Sequence, residues 1–431
     1  MRKMIYALLL LPLAISCNHQ SNAIADRKFI DSLLLDYQEP TAIKANVSEV
    51  DFWQRRINPK LPGLVNETKY AGALVQRFHL KGDIADLIRA DSILLQIDSL
   101  YNHKEATPNL SMALHCLLQH RFNEATVWFQ KAKAIGIKKY ESHAVAFDVN
   151  FESGLYANAL ANLNAIKAEN DYGYQFRKSK WEHYKGNMDS AIQAMQNAVA
   201  LSGGDIVLKQ AALSNTADLY LHNSELEKAN KLYMESIRLN AADLHSIMGL
   251  GWIALAHDHN DSLAEKIFFF VSTKTSSPDP YFQLAQTASA RGDSILQKKY
   301  ASRFANQVED SAYGNMYNKY LIELYTGILN IPERAEVIAK RELSNRATPQ
   351  TYSWYAWSLF SNNKQDEAYK IYQKRVSGKP LEGLELYWMG KMMQAMNKGY
   401  NAKQYFKEAY KNRYDLSPEK VIDLETESGI K

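Results

Sequence analysis

The sequence is poor in the residues that punctuate a chain. Its 431 residues hold 19 glycines and 11 prolines, about 7% together where average usage gives ~12%. A barrel or sandwich needs many Gly- and Pro-rich turns, so an all-β fold is disfavoured. Collagen-like and low-complexity compositions are excluded. There are only two cysteines, Cys17 and Cys116, so one intrachain disulfide is the ceiling, and Cys17 is consumed otherwise. Basic runs are missing: the formal charge is +4 and the pI about 8.6. A nucleic-acid partner wants a clustered basic stripe, and none is present. Catalytic signatures are missing too, with no His-Glu-x-x-His, Gly-x-Ser-x-Gly, Walker A loop or Gly-x-Gly-x-x-Gly. The sequence therefore implies no catalytic residues, no cofactor and no enzyme.

What is present is ordinary globular material, 46% hydrophobic and 23% charged, with 26 tyrosines. That balance is wrong for global disorder. Tyr carries an apolar ring and a polar tip, which suits partly wet helix interfaces and grooves.

The first residues read as an address. Arg2 and Lys3 form a positive start, and Ile5 to Ala14 is a short apolar run containing Pro12. At about ten residues it is too short to span a bilayer as a helix, so it is a secretory signal rather than structure. It ends Leu13-Ala14-Ile15-Ser16-Cys17. That string resembles a bacterial lipoprotein box, in which the Cys becomes acylated. The resemblance implies a signal peptide over 1–16 and lipidation of Cys17, a stable anchor because each buried CH₂ adds about 0.8 kcal/mol. Asn18, His19, Gln20 and Ser21 carry no acidic retention or export signal. The expected location is the cell envelope, as an outer-membrane lipoprotein facing the periplasm.

The remainder repeats. Small or apolar residues recur at unit positions 4, 7, 8 and 11 and again at 20, 24 and 27, each set one face of a helix. The unit beginning at Pro349 gives Tyr352, Tyr355, Ala356, Leu359, Ala368 and Tyr372; the next gives Leu386, Met389, Gly390, Met393, Ala402, Phe406 and Ala409. A third gives Met112, Ala113, Cys116, Ala125, Phe129 and Ala132. Position 8 is Ala113, Ser179, Ala217, Gly251, Ala285, Ala356 or Gly390, and position 20 is Ala125, Ala159, Ala191, Ala229, Ala335, Ala368 or Ala402. Units begin near residues 68, 106, 140, 172, 210, 244, 278, 316, 349 and 383. These residues resemble tetratricopeptide repeats, whose period is about 34. The resemblance implies an all-α fold, a right-handed α-solenoid of about ten helical hairpins over 68–416. Residues 17–67 then form a tether and N-terminal capping helices, and 417–431 a C-terminal cap.

Turn chemistry agrees. Gly82-Asp83, Gly186-Asn187 and Gly292-Asp293 each place a left-handed residue and then a cap between paired helices. Ser224 to Glu227 reads as a capping box. Arg291-Gly292-Asp293 spells an adhesion tripeptide, which the turn explains. His257-Asp258-His259-Asn260-Asp261 holds metal-ligand residue types, but it falls at an expected turn, where Asp261 suits a helix N-cap; no metal is assigned. Cys116 is expected to be a buried small hydrophobe. Asp-Ser-apolar triplets, such as Asp189-Ser190-Ala191, resemble a glycosylation acceptor of some Gram-negative envelope proteins and equally suit helix caps.

In the repeat family, positions 2, 5, 9 and 12 of each first helix point into a concave groove. Carried over, they give Lys180, His183, Asp218, Trp252, Phe282, Gln286, Trp357, Phe360, Tyr387 and Lys391. Trp252, Phe282, Trp357 and Phe360 suit packing between repeats as well. Aromatic anchors flanked by polar groups fit a protein or peptide partner. The expected function is a membrane-anchored lipoprotein scaffold that binds such a partner in its groove. The alternative is a glycan- or nutrient-binding lipoprotein resembling the SusD-like family, which needs long loops between repeats.

Overall fold

A computed structural model describes residues 23–309 and 311–429. Cys17 and the whole 1–16 segment lie outside the described residues. Among those described, every regular element is helical, and no helix is long and apolar enough to cross a membrane.

After two N-terminal helices, Arg27–Asp36 and Thr41–Gln54, the helices pair into ten successive hairpins. The first six are Leu64–Lys81 with Ile84–Leu100, Ala106–Leu118 with Phe122–Ile135, Lys139–Glu152 with Tyr156–Ala165, Tyr172–Tyr184 with Met188–Leu201, Ile206–His222 with Leu226–Leu239, and Leu244–Ala256 with Asp261–Ser272. The last four are Asp279–Ala290 with Ser294–Val308, Asn318–Thr326 with Pro332–Asn345, Pro349–Ser361 with Gln365–Ile371, and Gly383–Ala395 with Gly399–Lys411. A final helix, Pro418–Ser428, follows. This is the tetratricopeptide-like solenoid that the periodicity implies. The unit placed near residue 316 starts its first helix at Asn318, after a short 3-10 turn at Ser311–Tyr313.

The small positions are small because the two helices of a hairpin meet there. A Cβ on Gly251 would lie 2.7 Å from Phe268 Cε1, and one on Gly390 would lie 2.5 Å from Phe406 Cδ1. Ala113, Ala217 and Ala356 at the same position are fully buried, as are Ala125, Ala159, Ala191, Ala229, Ala335 and Ala368 at the facing one. Cys116 is buried as well, and burial pushes its thiol up to about 12.

Each hairpin turns through one residue of positive φ: Gly82, His120, Gly154, Gly186, Ser224, His259, Gly292, Asn330, Asn363 and Asn397. A left-handed residue is the compact way to end one helix and reverse the chain. Ser224 therefore occupies the left-handed position and does not cap; Glu225 is the N-cap, without a side-chain bond, so the capping box is not formed. Asp83 and Asp293 do cap, accepting from Ala85 and Leu296, whereas Asn187 bonds Glu182 instead. In the sixth hairpin Asn260, not Asp261, accepts from Leu263. Arg291 pairs with Asp261 and Glu265, which ties the adhesion-like tripeptide into the fold.

The solenoid winds back onto itself. Ser276 N–H and Thr275 Oγ1 donate to the Lys81 carbonyl in the first hairpin, at 2.8 and 2.9 Å. The second hairpin's turn meets the eighth hairpin and its lead-in. Asn315 N–H donates to Gln119 O at 2.9 Å, Asn345 Nδ2 donates to His120 O at 2.7 Å, and Phe122 N–H donates to Asn345 Oδ1 at 2.9 Å. Gly154 in the third turn packs against Thr348, where a Cβ would lie 2.8 Å from its methyl. Successive turns of the superhelix therefore stack edge to edge and enclose a space.

The two N-terminal helices part company. Thr41–Gln54 covers the first hairpin, with Val50 buried and Asn46 Nδ2 donating to Ala73 O at 3.0 Å. Arg27–Asp36 was expected beside it as an end cap. It lies instead on the outside of the fifth and sixth hairpins, with Ile30 buried in the same core cluster as Tyr233, Ile237 and Phe268. Its sequence offers an apolar stripe, but only the stacked turns bring the sixth hairpin within reach.

Candidate functional site

The first helices of the hairpins face inward, as the helical period dictates. The enclosed space is a cavity of about 740 Å³ continuous with one of about 260 Å³; both are walled by His183, His222, Lys319, Tyr320 and Glu382. The larger part adds His120, Phe151, Glu152, Tyr156, Lys180, Tyr184, Arg346 and Trp354. A neighbouring cavity of about 540 Å³ is lined by Trp357, Tyr387 and Lys391 and by the final helix.

The walls are aromatic and carry paired charges. Tyr156 and Tyr184 stack at 4.0 Å, with Phe151 edge-on to both. Lys180 pairs with Glu152, which Arg346 also approaches at 3.7 Å. Burial raises the Glu152 carboxyl, but these two cations outweigh it and hold it low. Lys319 Nζ sits 2.9 Å from Glu385 Oε1 and 3.6 Å from Glu382. Burial pulls this amine down, yet the two carboxylates win and hold it above the usual lysine range. Trp354 Nε1 also donates to Glu385 Oε1, at 2.7 Å. Glu385 Oε2 is buried and has no hydrogen-bond partner among the described residues.

The imidazoles differ in state. Burial and Arg346 bring His120 down to about 4. Burial and the neighbouring His222 lower His183. Burial would lower His222 as well, but Asp415, with Oδ2 at 2.8 Å, raises it. Neutral imidazoles, tyrosine rings and satisfied ion pairs can hydrogen-bond an amide chain. No group of His, Cys, Asp or Glu with metal-binding geometry occurs among the described residues.

The ten groove residues divide. Lys180 and His183 line the large cavity, and Trp252, Phe282 and Gln286 the small one. Trp357, Tyr387 and Lys391 line the third. Phe360 stacks on Trp357 at 5.7 Å, and Trp357 lies parallel to Trp388 at 5.9 Å, so this aromatic run packs between repeats. Asp218 accepts from Tyr233 Oη at 2.6 Å and pairs with His245 at 2.9 Å, away from the cavities.

Much of the inner face is already engaged by the chain's own C-terminal segment. Trp252 Nε1 donates to Tyr414 O at 2.7 Å. Tyr387 Oη donates to Asp423 at 2.8 Å, Lys391 reaches Asp423 at 3.0 Å, and Lys420 pairs with Glu323 at 2.7 Å. Leu416 and Leu424 are buried beneath it. The final helix thus packs on the last hairpin and also crosses the inner face.

Sequence reasoning did not find Lys319, Tyr320 or His222. Lys319 and Tyr320 belong to the unit near residue 316, which departs from the repeat pattern, with Glu323 at the small position and a first helix that starts only at Asn318. His120, Glu152 and Arg346 reach the cavity only because distant turns stack, and no local signal marks them.

No protein-family model and no curated protein sequence matches the chain. Among solved structures it is similar to a tetratricopeptide repeat protein from Parabacteroides merdae, with 14% identity, TM-score 0.35, and coverage of 60% of this chain and 98% of that one. It is similar to a human IFIT1 dimer with PPP-AAAA at 12% identity, TM-score 0.47 and 76% of each chain. Yeast Tom70 gives 13% identity, TM-score 0.34, 90% of this chain and 96% of that one.

Proposed function

We propose that this chain is an envelope scaffold, anchored through acylated Cys17 to the periplasmic face of the outer membrane, that holds a peptide segment of a partner protein in its inner cavity. The observation that carries the reading is the wall itself: stacked Tyr156 and Tyr184, neutral His183, and cations each matched to a carboxylate. Such a wall favours an uncharged or mixed-charge amide chain over a polyanion. A glycan-binding role resembling SusD-like lipoproteins wants long loops inserted between repeats, and the connections between successive hairpins are short, the longest running from Val308 to Asn318.

The test is photocrosslinking in the native envelope. A photoreactive phenylalanine replaces Tyr184 inside, or Val337 outside, a residue 66% exposed. One protein should be captured from position 184 and not from 337, and a synthetic peptide of the crosslinked segment should bind the purified chain. Equal capture at both positions, or none at 184, overturns the reading.

A further inference from the structure

The N-terminal helix starts from a built anchor point. Ile24 and Ala25 donate their backbone N–H groups to the two carboxylate oxygens of Asp258, each at 2.9 Å. The Asp258 side chain is 3% exposed and takes a further contact from His257 Nδ1 at 2.8 Å. Lys266 pairs with Asp31 at 2.8 Å, and Tyr37 meets Phe270 edge-on at 5.1 Å. The histidine–aspartate stretch at the sixth turn, which holds metal-ligand types, is thus an N-terminal clamp. It fixes Ile24 to the outer rim of the sixth hairpin.

From there the reach to the lipid is short. Seven peptide steps separate Cys17 from Ile24, and an extended chain advances at most about 3.3–3.6 Å per residue. The acylated residue therefore lies within ~25 Å of Ile24. We infer that the outer face of the fifth and sixth hairpins, with the docked Arg27–Asp36 helix, is the face this protein turns to the bilayer. The inference rests on the lipid-anchor reading above. Exposed Arg27, Lys28, Lys266 and Lys274 on this face are mixed with exposed Asp26 and Asp36, so the tether, not headgroup charge, sets the orientation. The first hairpin meets the loop after the sixth, so one superhelical turn takes about five to six hairpins. The third and ninth hairpins then lie half a turn away, and they carry the Phe151 and Trp354 wall of the large cavity away from the membrane.

The test uses the full chain, acylated in cells and reconstituted in phosphatidylcholine vesicles holding a headgroup energy-transfer acceptor. Donor dyes go on single cysteines at exposed positions: E235C or S262C on the fifth and sixth hairpins, L160C or E367C across the ring. Cys116 is buried and does not compete for label. Transfer from the first pair should exceed that from the second at least twofold, with or without anionic lipid. In Asp258→Ala the contrast should fall away, because the tether then runs from Cys17 to Thr41. Equal or reversed transfer in the acylated parent overturns the face assignment, and so does a contrast that survives Asp258→Ala. Intact mass separates the two failures: a chain without acyl groups on Cys17 overturns the anchor reading and this inference with it.

Discussion

Asp258→Ala isolates the N-terminal clamp. The substitution leaves Ile24 and Ala25 N–H without their carboxylate, at a site where the acceptor is 3% exposed. Hydrogen bonds to a charged group contribute roughly 1.5–3 kcal/mol each, so docking of Arg27–Asp36 should weaken by about 3–6 kcal/mol. Ile30 remains as the buried anchor, worth about 1.5–3 kcal/mol by itself. The helix should then open locally while the hairpins persist, since none of their core contacts passes through Asp258. Hydrogen exchange is the assay. Amides over residues 27–36 should lose at least about 100-fold in protection, with trypsin cutting at Arg27 and Lys28 first, and the main melting transition should hold to within a few degrees. Unchanged protection in this segment would refute the clamp. A melting transition that collapses together with it would show that the helix is not a separable element.

Other perturbations read the rest of the molecule. Gly390→Val drives a side chain into Phe406, whose Cδ1 would lie 2.5 Å from the new Cβ; overpacking of this kind costs about 1–3 kcal/mol, and Phe406→Leu should restore part of the lost Tm. Leu424→Ala should loosen the final helix by about 2–5 kcal/mol, whereas Asp423→Asn, which removes a partly exposed pair with Lys391, should cost less than about 1 kcal/mol; exchange over residues 418–428 distinguishes them. The Asp218 charge, against some burial, raises His245 to about 9. Its contribution is therefore full below the unfolded value near 6.5 and is lost as pH rises through about 9; an NMR titration should place the midpoint there, and Asp218→Asn should return it toward 6.5. Burial and Arg346 bring His120 down to about 4, so the neutral form is favoured in the fold. Stability at the stacked second turn should fall as pH drops from about 6.5 toward 4, read as faster exchange at residues 119–123.

The architecture was legible in advance because each hairpin repeats one local requirement. A helix pair that meets at Gly251 against Phe268, or at Ala356 opposite Ala368, demands small residues at fixed spacing, and that spacing survives in the linear order. Turns were less legible. Gly82 and Gly292 announce themselves, but His120, Ser224 and Asn330 adopt the same left-handed geometry without a glycine. The helix on either side imposes the reversal and outweighs the modest cost of a Cβ there.

The candidate site was legible only in part. Lys180, His183 and Trp252 follow from their place on a first helix. Glu152, Arg346 and His120 share a cavity although Arg346 is far from the other two in sequence. Residue order thus determined the helices, their pairing and which face of each turns inward, because those depend on contacts a few residues to a few tens of residues apart. The tertiary structure alone decided that the superhelix stacks on itself, that Arg27–Asp36 docks on the sixth hairpin and that the final helix crosses the inner face. These depend on small rotations summed over many hairpins, and no single unit of sequence carries that sum.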